Sequence, residues 1–388
     1  MDALSKRVED AIRLSDFTTL SSIFSTDGSG WQSLGGTGEQ RTLAAHFVRQ
    51  AILTTNTSFL PAAFSSHQAR RVIDTALSYL PATPVENGSD NTLRWKLFEF
   101  LKVEEEDYVA AAQVLGGMRM SDMEAHEKCN VYVNIAECYL EEDETVEADS
   151  AVTKAGSVVE DILNPKEHQG LILRFKSTYA RVLDANRKFL QAASRYYDIS
   201  QAHEQIDADD LLSLLGMAAT CAILAPSGPQ RQRILGLVFK DERLSQLGTI
   251  DKFSAHSAVL TKMYMNQLLR KDELVTFTES LSDHQKAIMG DGFTFVERAV
   301  IEHNILAVGR LYNNIYFVEL GQLLDVEAHK SEKVCASMIV DGKLKASIDQ
   351  VDGMLTFIGE KSALIGWDDA ITGMCVQLNR VADLVRVD

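Results

Sequence analysis

The sequence predicts a mainly α-helical protein: a right-handed α-solenoid of helix pairs, similar to TPR and HEAT arrays, followed by a winged-helix module and one further helix. Three observations predict this fold. The 388 residues include only six prolines, and alanine and leucine are frequent, which favours helix over sheet. A pattern of bulky and small residues recurs at intervals of about 40 residues. The last hundred residues carry helix and hairpin signals in the order that a winged helix requires.

The charge balance of the chain is strongly acidic. There are 38 Lys and Arg residues against 55 Asp and Glu residues, whereas a surface that binds nucleic acid or an anionic membrane needs a basic stripe. No apolar run approaches the roughly 18 residues of a membrane span, and the N-terminus lacks the pattern of a signal peptide. We therefore expect a soluble protein with no nucleic-acid partner and no membrane partner.

The five cysteines are widely spaced, at positions 129, 138, 221, 335 and 375. Their odd number and the lack of close pairs indicate free thiols in a reducing compartment. We expect the protein to be located in the cytoplasm and nucleus.

Residues 1–225 are predicted to form a helical-repeat arm. A bulky residue followed by small residues on the same helix face lets two helices pack closely. Such pairs stack, because one pair cannot bury its own apolar face. The recurring positions are Phe98, Leu101, Tyr108, Ala111 and Ala112, then Ile135, Ala136, Tyr139 and Ala148, then Tyr179, Val182, Phe189, Ala192 and Ala193.

A loop rich in Gly and Ser is predicted within this arm at residues 25–38. It is not a phosphate-binding loop, which needs Gly-Lys-Ser/Thr at the start of a helix, because Gly38 is followed by Glu39. We interpret the loop as a connector.

Residues 226–294 are predicted to form the helical part of a second domain. The preceding break, Ala-Pro-Ser-Gly-Pro at 225–229, contains two prolines and a glycine, which stop a helix. Amphipathic helices then continue to about Asp283.

Residues 295–358 are predicted to form the winged helix. Ile301, Ile305, Val308 and Tyr312 mark one face of its first helix. Glycine, which tolerates positive φ, marks the turn before the first hairpin strand and the turn between the two hairpin strands. The predicted elements are a helix at 295–312, an extended segment at 314–317, a short helix around Leu320, a turn at Asp325, a helix at 327–339, and strands around 344–348 and 354–357 with turns at 341–342 and 352–353.

Residues 359–388 are predicted to form a C-terminal assembly helix with a long apolar stripe. Because the stripe follows a module that is already closed, it must either fold back on the solenoid or enter a helix bundle with other chains. We favour the bundle. The stripe consists of Trp367, Ile371, Met374, Leu378, Val381 and Val385.

Short motifs from about residue 130 to residue 357 carry a family resemblance. They are similar to motifs of PCI-domain proteins, which combine a helical solenoid with a winged helix, and the detailed match resembles the family of COP9 signalosome subunit 4. The motifs are Tyr-Ala-Arg-Val-Leu at 179–183, Arg-Lys-Phe at 187–189, Phe-Lys-Asp-Glu-Arg at 239–243, Lys-Met-Tyr at 262–264, His-Gln-Lys-Ala at 284–287, Asp-Gly at 291–292, Arg-Ala-Val-Ile-Glu-His-Asn at 298–304, Leu-Tyr-Asn-Asn-Ile at 311–315 and Ile-Asp-Gln-Val-Asp-Gly at 348–353.

This resemblance implies a scaffold subunit of the complex that removes the ubiquitin-like protein NEDD8 from cullins. The catalytic zinc of that complex belongs to another subunit, so we expect no catalytic residue, cofactor or metal in this chain. The implied partners are other COP9 signalosome subunits of the PCI and MPN types, and the cullin and RING-box protein of a neddylated cullin–RING ligase.

The resemblance also implies an assembly interface. Winged helices of such subunits associate side by side, and their C-terminal helices gather into a bundle. One departure from the family is Tyr316, at a position where a Thr or Ser usually caps the second helix of the winged helix. The predicted interface residues are Phe317, Leu320, Ile348, Met354, Phe357, Trp367, Ile371, Met374, Leu378, Val381 and Val385.

Two other functions remain open. A paralogous scaffold subunit of the proteasome lid would share the architecture. A nucleic-acid-binding winged helix would place its third helix in the major groove, but residues 315–357 contain four lysines, no arginine and seven acids, which would repel phosphate.

The sequence shows no local zinc site or catalytic motif. The nine histidines include no His-x-His or His-Glu-x-x-His pattern, and these patterns place two ligands on one face of a helix or strand. We interpret His303 as a hydrogen-bonded residue of the core or of an interface.

Overall fold

The computed structural model of the chain describes residues 2–24, 37–53, 59–65, 67–79, 89–121, 123–202, 206–250, 253–290, 292–358 and 363–385. These residues are mainly helical, as predicted. The chain divides into two compact units, Met1–Arg195 and Tyr196–Asp388. Most of the predicted Gly/Ser loop lies outside the described residues, and its last residue, Gly38, belongs to a helix.

The first unit is built from consecutive helices around one apolar core that extends from Val8 to Val182. A short, wider helical segment, Leu101–Glu105, follows the sixth helix. The helices are α1 (Asp2–Leu14), α2 (Phe17–Phe24), α3 (Thr37–Leu53), α4 (Phe59–Ser65), α5 (His67–Tyr79), α6 (Ser89–Phe100), α7 (Tyr108–Gly116), α8 (Ala125–Glu141), α9 (Thr145–Val159), α10 (Gln169–Ala185) and α11 (Phe189–Ser200), the last of which contains the boundary between the units.

The helical repeat is confirmed by the position of its small residues. The three copies correspond to α6 and α7, α8 and α9, and α10 and α11. Helix α7 packs against α8, and α9 packs against α10, so consecutive pairs stack. The alanines that the pattern places between helices are at most 1% exposed: Ala111, Ala112, Ala148, Ala192 and Ala193.

The turn within the second pair and the turn within the third pair have the same backbone geometry. Asp143 (φ 57°) and Arg187 (φ 61°) both adopt the left-handed conformation. In both turns the next residue donates its N–H to the carbonyl five positions earlier, at 2.9 Å. This is the Schellman motif, which normally favours glycine at the left-handed position. The two residues are 44 positions apart, as are the matching positions Ala148 and Ala192 of the second and third copies.

The helical part of the second unit begins before the predicted boundary at 225. Its first helix packs against the next helix and against the first helix of the winged module, and it therefore belongs to this unit. The break at 225–229 separates two helices, as predicted. The elements are α12 (Ala208–Leu224), α13 (Pro229–Phe239), a 3₁₀ segment (Glu242–Thr249), α14 (His256–Tyr264) and α15 (Lys271–Glu279).

The winged helix has the predicted order of elements. In its three-stranded antiparallel sheet the strand order is β1-β3-β2, so the last strand in sequence is the central one. Leu355 on this strand is fully buried and pairs with Ile315 on one side and Ile348 on the other. The elements are α16 (Phe295–Val308), β1 (Asn314–Tyr316), α17 (Phe317–Leu324), α18 (Ala328–Val340), β2 (Ala346–Asp349) and β3 (Met354–Phe357).

The first helix of this module is shorter than predicted. It ends at Val308 rather than at Tyr312, and Tyr312 is 46% exposed instead of lying on the inner face. Gly309 follows, and a Cβ atom on it would lie 2.8 Å from the ring of Phe357. The helix therefore ends beside Phe357 of β3, and the following segment leads to β1, which pairs with β3.

The last described element is one long helix, α19 (Ala363–Val385), which agrees with the predicted C-terminal helix. It is the element that carries the predicted apolar stripe.

Replacing Asp143 with glycine should stabilise the protein, because glycine adopts positive φ without the steric cost of a Cβ atom. We expect the free energy of unfolding to rise by about 0.5–1 kcal/mol for Asp143→Gly and to fall by about 1–2 kcal/mol for Asp143→Val. Urea denaturation followed by circular dichroism measures both changes. Equal stability of the two variants would contradict the left-handed turn.

Candidate assembly interface

Helix α16 packs against α12 and α18, and a capping box fixes its start. The Thr294 hydroxyl accepts a hydrogen bond from the Glu297 N–H at 3.2 Å, and the Glu297 carboxylate accepts one from the Thr294 N–H at 2.9 Å. This pair satisfies two N–H groups that would otherwise lack partners. The helix then carries three consecutive buried polar residues, Glu302, His303 and Asn304.

Glu302 fixes the break between α12 and α13. Its carboxylate accepts hydrogen bonds from the Ser227 backbone N–H at 3.1 Å and from the Ser227 hydroxyl at 2.7 Å, and it pairs with Arg298 at 3.2 Å and Lys343 at 3.7 Å. Burial alone would raise the pKa of this carboxyl group. The hydrogen bonds from Ser227 and the two cations outweigh burial, so the pKa lies below its ordinary value. Glu302 is therefore a buried carboxylate that stays charged.

His303 fixes the chain after α14. Its Nε2 atom donates a hydrogen bond to the Gln267 carbonyl at 2.9 Å, and the side chain is 5% exposed. Burial, helped by the nearby Arg231 and Arg310, lowers the pKa of His303 to about 4. The histidine is neutral at pH 7, and its interpretation as a hydrogen-bonded core residue is confirmed.

Asn304 is the third of these buried polar residues, and it makes two hydrogen bonds to one residue of the segment after α14. Its side-chain oxygen accepts from the Leu269 N–H and its amide nitrogen donates to the Leu269 carbonyl, both at 2.9 Å. The pair imitates one rung of a β-ladder. Sequence analysis placed these residues in a family motif but missed the role of Glu302 and Asn304; three adjacent polar residues within an apolar helix were the available signal.

The sheet and α17 surround an apolar core that includes two residues predicted for the interface. Phe317 is 5% exposed and Leu320 is 0% exposed, and both pack in this core with Leu355. They are core residues of the winged helix and not surface residues, which corrects the prediction. Tyr316 is the N-cap residue of α17, and its side chain makes no capping hydrogen bond to the described first turn, as expected.

The other three winged-helix residues of the predicted interface are only partly covered. Ile348 and Phe357 lie at the margin of the core. Met354 lines an open groove between α18 and the sheet, together with Ser347 and Glu332. These three side chains are therefore the part of the predicted winged-helix interface that remains partly open to solvent.

Helix α18 occupies the position of the nucleic-acid recognition helix in DNA-binding winged helices. Two of its basic side chains face acidic neighbours: Lys330 pairs with Glu327 at 3.7 Å, and His329 lies 4.0 Å from Glu332. Phosphate contacts would compete with these acidic partners. The geometry does not favour nucleic-acid binding.

Helix α19 presents its apolar stripe to solvent. The described stripe side chains are between 51% and 71% exposed: Trp367, Ile371, Met374, Leu378 and Val381. Val385 is the last residue of the helix, and its side chain lies outside the described part of the chain. An apolar strip of this length on one helix is typical of a site that a partner covers.

Three buried cysteines are poor candidates for nucleophilic chemistry. Burial raises the thiol pKa to about 11 for Cys129 and Cys138 and to about 12 for Cys335, which makes them poor nucleophiles. Among the residues with described positions, no group of three or more His, Cys, Asp or Glu side chains could hold a metal ion. Within the same ranges, no helix is both long and apolar enough to cross a bilayer.

Two sequence profiles match the chain. The PCI domain matches residues 257–358, which include the winged helix and the helices before it. The profile described as PSMD12/CSN4, N-terminal matches residues 88–209, which cover the helical repeats. Helical repeats followed along the chain by a winged helix, together with these two matches, identify a PCI-domain protein.

Curated relatives identify the family more closely. The COP9 signalosome complex subunit 4 of Arabidopsis thaliana is 40% identical over 289 residues, which are 72% of this chain and 70% of the relative. The protein of the same name from Dictyostelium discoideum is 40% identical over 66% of this chain and 62% of its own length. That of Drosophila melanogaster is 39% identical over 67% of this chain and 61% of its own length. The chain belongs to the COP9 signalosome subunit 4 family.

Removing the Asn304 side chain should destabilise the second unit. In Asn304→Ala the N–H and carbonyl of Leu269 lose their partners in a buried site, and we expect the free energy of unfolding to fall by about 2–4 kcal/mol. Asn379→Ala, at an exposed position on α19, is the control and should change it by less than about 0.5 kcal/mol. Urea denaturation measures both. A loss below about 1 kcal/mol for Asn304→Ala would show that this contact is dispensable.

His303 should make stability fall as the pH drops from about 6.5. Its pKa is about 4 in the folded chain against an ordinary value of 6.5, so the unfolded chain binds the proton first and stability decreases with acidification. We expect a loss of about 2 kcal/mol between pH 6.5 and pH 4.5 from this residue. Stopping at pH 4.5 limits the contribution of Glu302, because a carboxyl group whose folded pKa is lowered loses most of its stabilising effect below its ordinary pKa of 4.5.

The variant His303→Gln tests this pH dependence, because the glutamine amide can donate to the Gln267 carbonyl without titrating. Its free energy of unfolding should fall less over this range than that of the wild type. His329→Gln, whose side chain is 71% exposed in the wild type, is the control and should retain the wild-type slope. An unchanged slope in His303→Gln would mean that His303 is not the titrating group.

Proposed function

We propose that this chain is a non-catalytic scaffold subunit of a COP9 signalosome. It holds neighbouring subunits through its winged helix and α19, and it supports removal of NEDD8 from neddylated cullin–RING ligases by a catalytic subunit elsewhere in the complex. The shared name of the relatives supports this function over that of a proteasome-lid subunit.

The observation that carries the proposal is the exposed stripe of α19. Covering a side chain of this size is worth about 1.5–3 kcal/mol, so five of them represent about 7–15 kcal/mol of gross binding energy. Helices of other subunits, packed as a bundle, would cover the stripe along its whole length. The outer strands β1 and β2 add a second contact region, because the edge of a sheet presents backbone N–H and carbonyl groups to a neighbour.

We further propose that the chain contacts the cullin and RING-box protein of a bound ligase, and that it works in the cytoplasm and nucleus. Family resemblance supports both statements. Chemical cross-linking of the purified complex with a neddylated ligase tests the first, and imaging of a fluorescently tagged chain tests the second. Cross-links confined to other subunits, or a tagged chain restricted to one compartment, would contradict them.

Deleting residues 364–388 should leave a folded chain, because the core lies before this helix. The truncated chain should no longer enter the complex, because it lacks the apolar stripe of α19. The measurement is affinity purification of the tagged variant, with mass spectrometry of the co-purifying subunits and circular dichroism of the isolated chain. A full set of subunits with the truncated chain would refute the role of α19.

Point variants separate the stripe from the rest of the helix. Ile371→Asp places a charge in the stripe and should cause the same loss. Val376→Asp, on the opposite face of α19, should retain all partners. Co-purification of proteasomal ATPases instead of deneddylase subunits would favour the proteasome lid.

A further inference from the structure

A groove with a volume of about 500 Å³ lies between α7 and α9, within the first unit. Both helices pack against α8, and Tyr132, Ile135 and Tyr139 of α8 line the groove between them. Small residues, Gly116 at the end of α7 and Ser150 on α9, line its walls. These walls do not cover the two tyrosine side chains, which are only half-buried.

Helix α7 is too short to cover the whole of α8. It has 9 residues, whereas α8 has 17, so part of α8 is left without a neighbour on the α7 side. On the opposite wall Val146 lines the groove and is 73% exposed. Aromatic and aliphatic side chains that remain accessible in a concave surface are typical of a site that binds a peptide.

Two charged side chains of opposite sign line the α9 wall of the groove. They are Glu147 and Lys154, which are seven positions apart in the sequence and therefore about 10 Å apart along the helix axis. Both are exposed, and neither forms an ion pair with another residue of the described ranges. The groove thus has an acidic end and a basic end, with apolar surface between them.

Further carboxylates add negative charge at the acidic end. Burial raises the pKa of the Tyr139 hydroxyl, and the negative charges of Glu147 and Glu144 raise it further, so these carboxylates lie close to the Tyr139 side chain. The turn at 141–144, Glu-Glu-Asp-Glu, adjoins this end. One of its carboxylates pairs with Arg181 at 3.0 Å, and the other three form no ion pair with a described residue.

We propose that this groove binds a peptide segment of another protein that carries a lysine or arginine beside large apolar side chains. The apolar side chains pack on the α8 residues of the groove. The cation pairs with Glu147 and lies close to the ring of Tyr139, whose face attracts cations. Charge complementarity selects this occupant, because Glu144 and Glu147 would repel an acidic segment or a nucleic acid.

Selection from a phage-displayed library of random peptides, each of about 12 residues, on the immobilised full-length chain tests the proposal. Enriched peptides should contain Lys or Arg next to a large apolar residue. One such peptide, synthesised with a fluorescent label, should bind with a Kd of about 10–100 μM in an anisotropy titration. Ser150→Trp, which fills the groove with an indole ring, should weaken binding by about tenfold or more. Glu147→Gln, which removes the charge at nearly constant size, should weaken it by about threefold.

Thr153→Trp and Glu167→Gln are the controls, because both residues are exposed in the first unit and neither lines the groove. Both variants should bind the peptide as the wild type does, and circular dichroism should show that all four variants are folded. Enrichment of acidic peptides, no enrichment at all, or unchanged binding in either groove variant would overturn the proposal. The inference does not depend on the proposed function, and loss of subunits from the chain truncated before α19 bears on that function alone.

Discussion

One helical turn of α16 determines how the second unit is held together. Glu302, His303 and Asn304 are consecutive, so their side chains leave the helix about 100° apart. Each bonds to backbone outside the helix, at Ser227, Gln267 and Leu269. Since an unpaired polar group in a buried site costs about 1–3 kcal/mol, the two connecting segments have few alternative positions. The segments before α16 are thereby fixed to the first helix of the winged helix.

A buried cation, Arg231, binds the end of α12 close to Glu302. Arg231 is 4% exposed, and its guanidinium donates to the carbonyls of Ala222 and Ile223 in the last turn of α12 at 3.2 and 2.8 Å. Burial lowers its pKa to about 10, and the negative charge of Glu302 opposes that effect. A charged residue inside the unit is thus stabilised by the end of a helix and by a carboxylate on α16.

Sequence periodicity predicted the elements but not the long-range contacts between them. The small residues of the repeat and the glycines of the two turns around β2 act locally, and Gly342 and Gly353 do adopt positive φ. The bond from Ser227 to Glu302 spans 75 residues, and no local pattern encodes it. Phe317 and Leu320 show a related limit. An apolar residue on an amphipathic helix faces some apolar surface, but the pattern does not say whether that surface belongs to the same chain. For α19 the exposure could be anticipated because the preceding module was already complete, while the identity of its partner remains a proposal.

The strand order of the sheet also determines when the winged helix can form. Both β1 and β2 pair with β3, which is the last of the three to be synthesised. Until Phe357 has left the ribosome, neither earlier strand has its neighbour, and the apolar faces of α16, α17 and α18 lack the surface that Leu355 completes. The first unit can fold during translation, whereas the winged helix must wait for nearly the whole chain. Maturation of the assembly surface is therefore among the final events in the production of each copy.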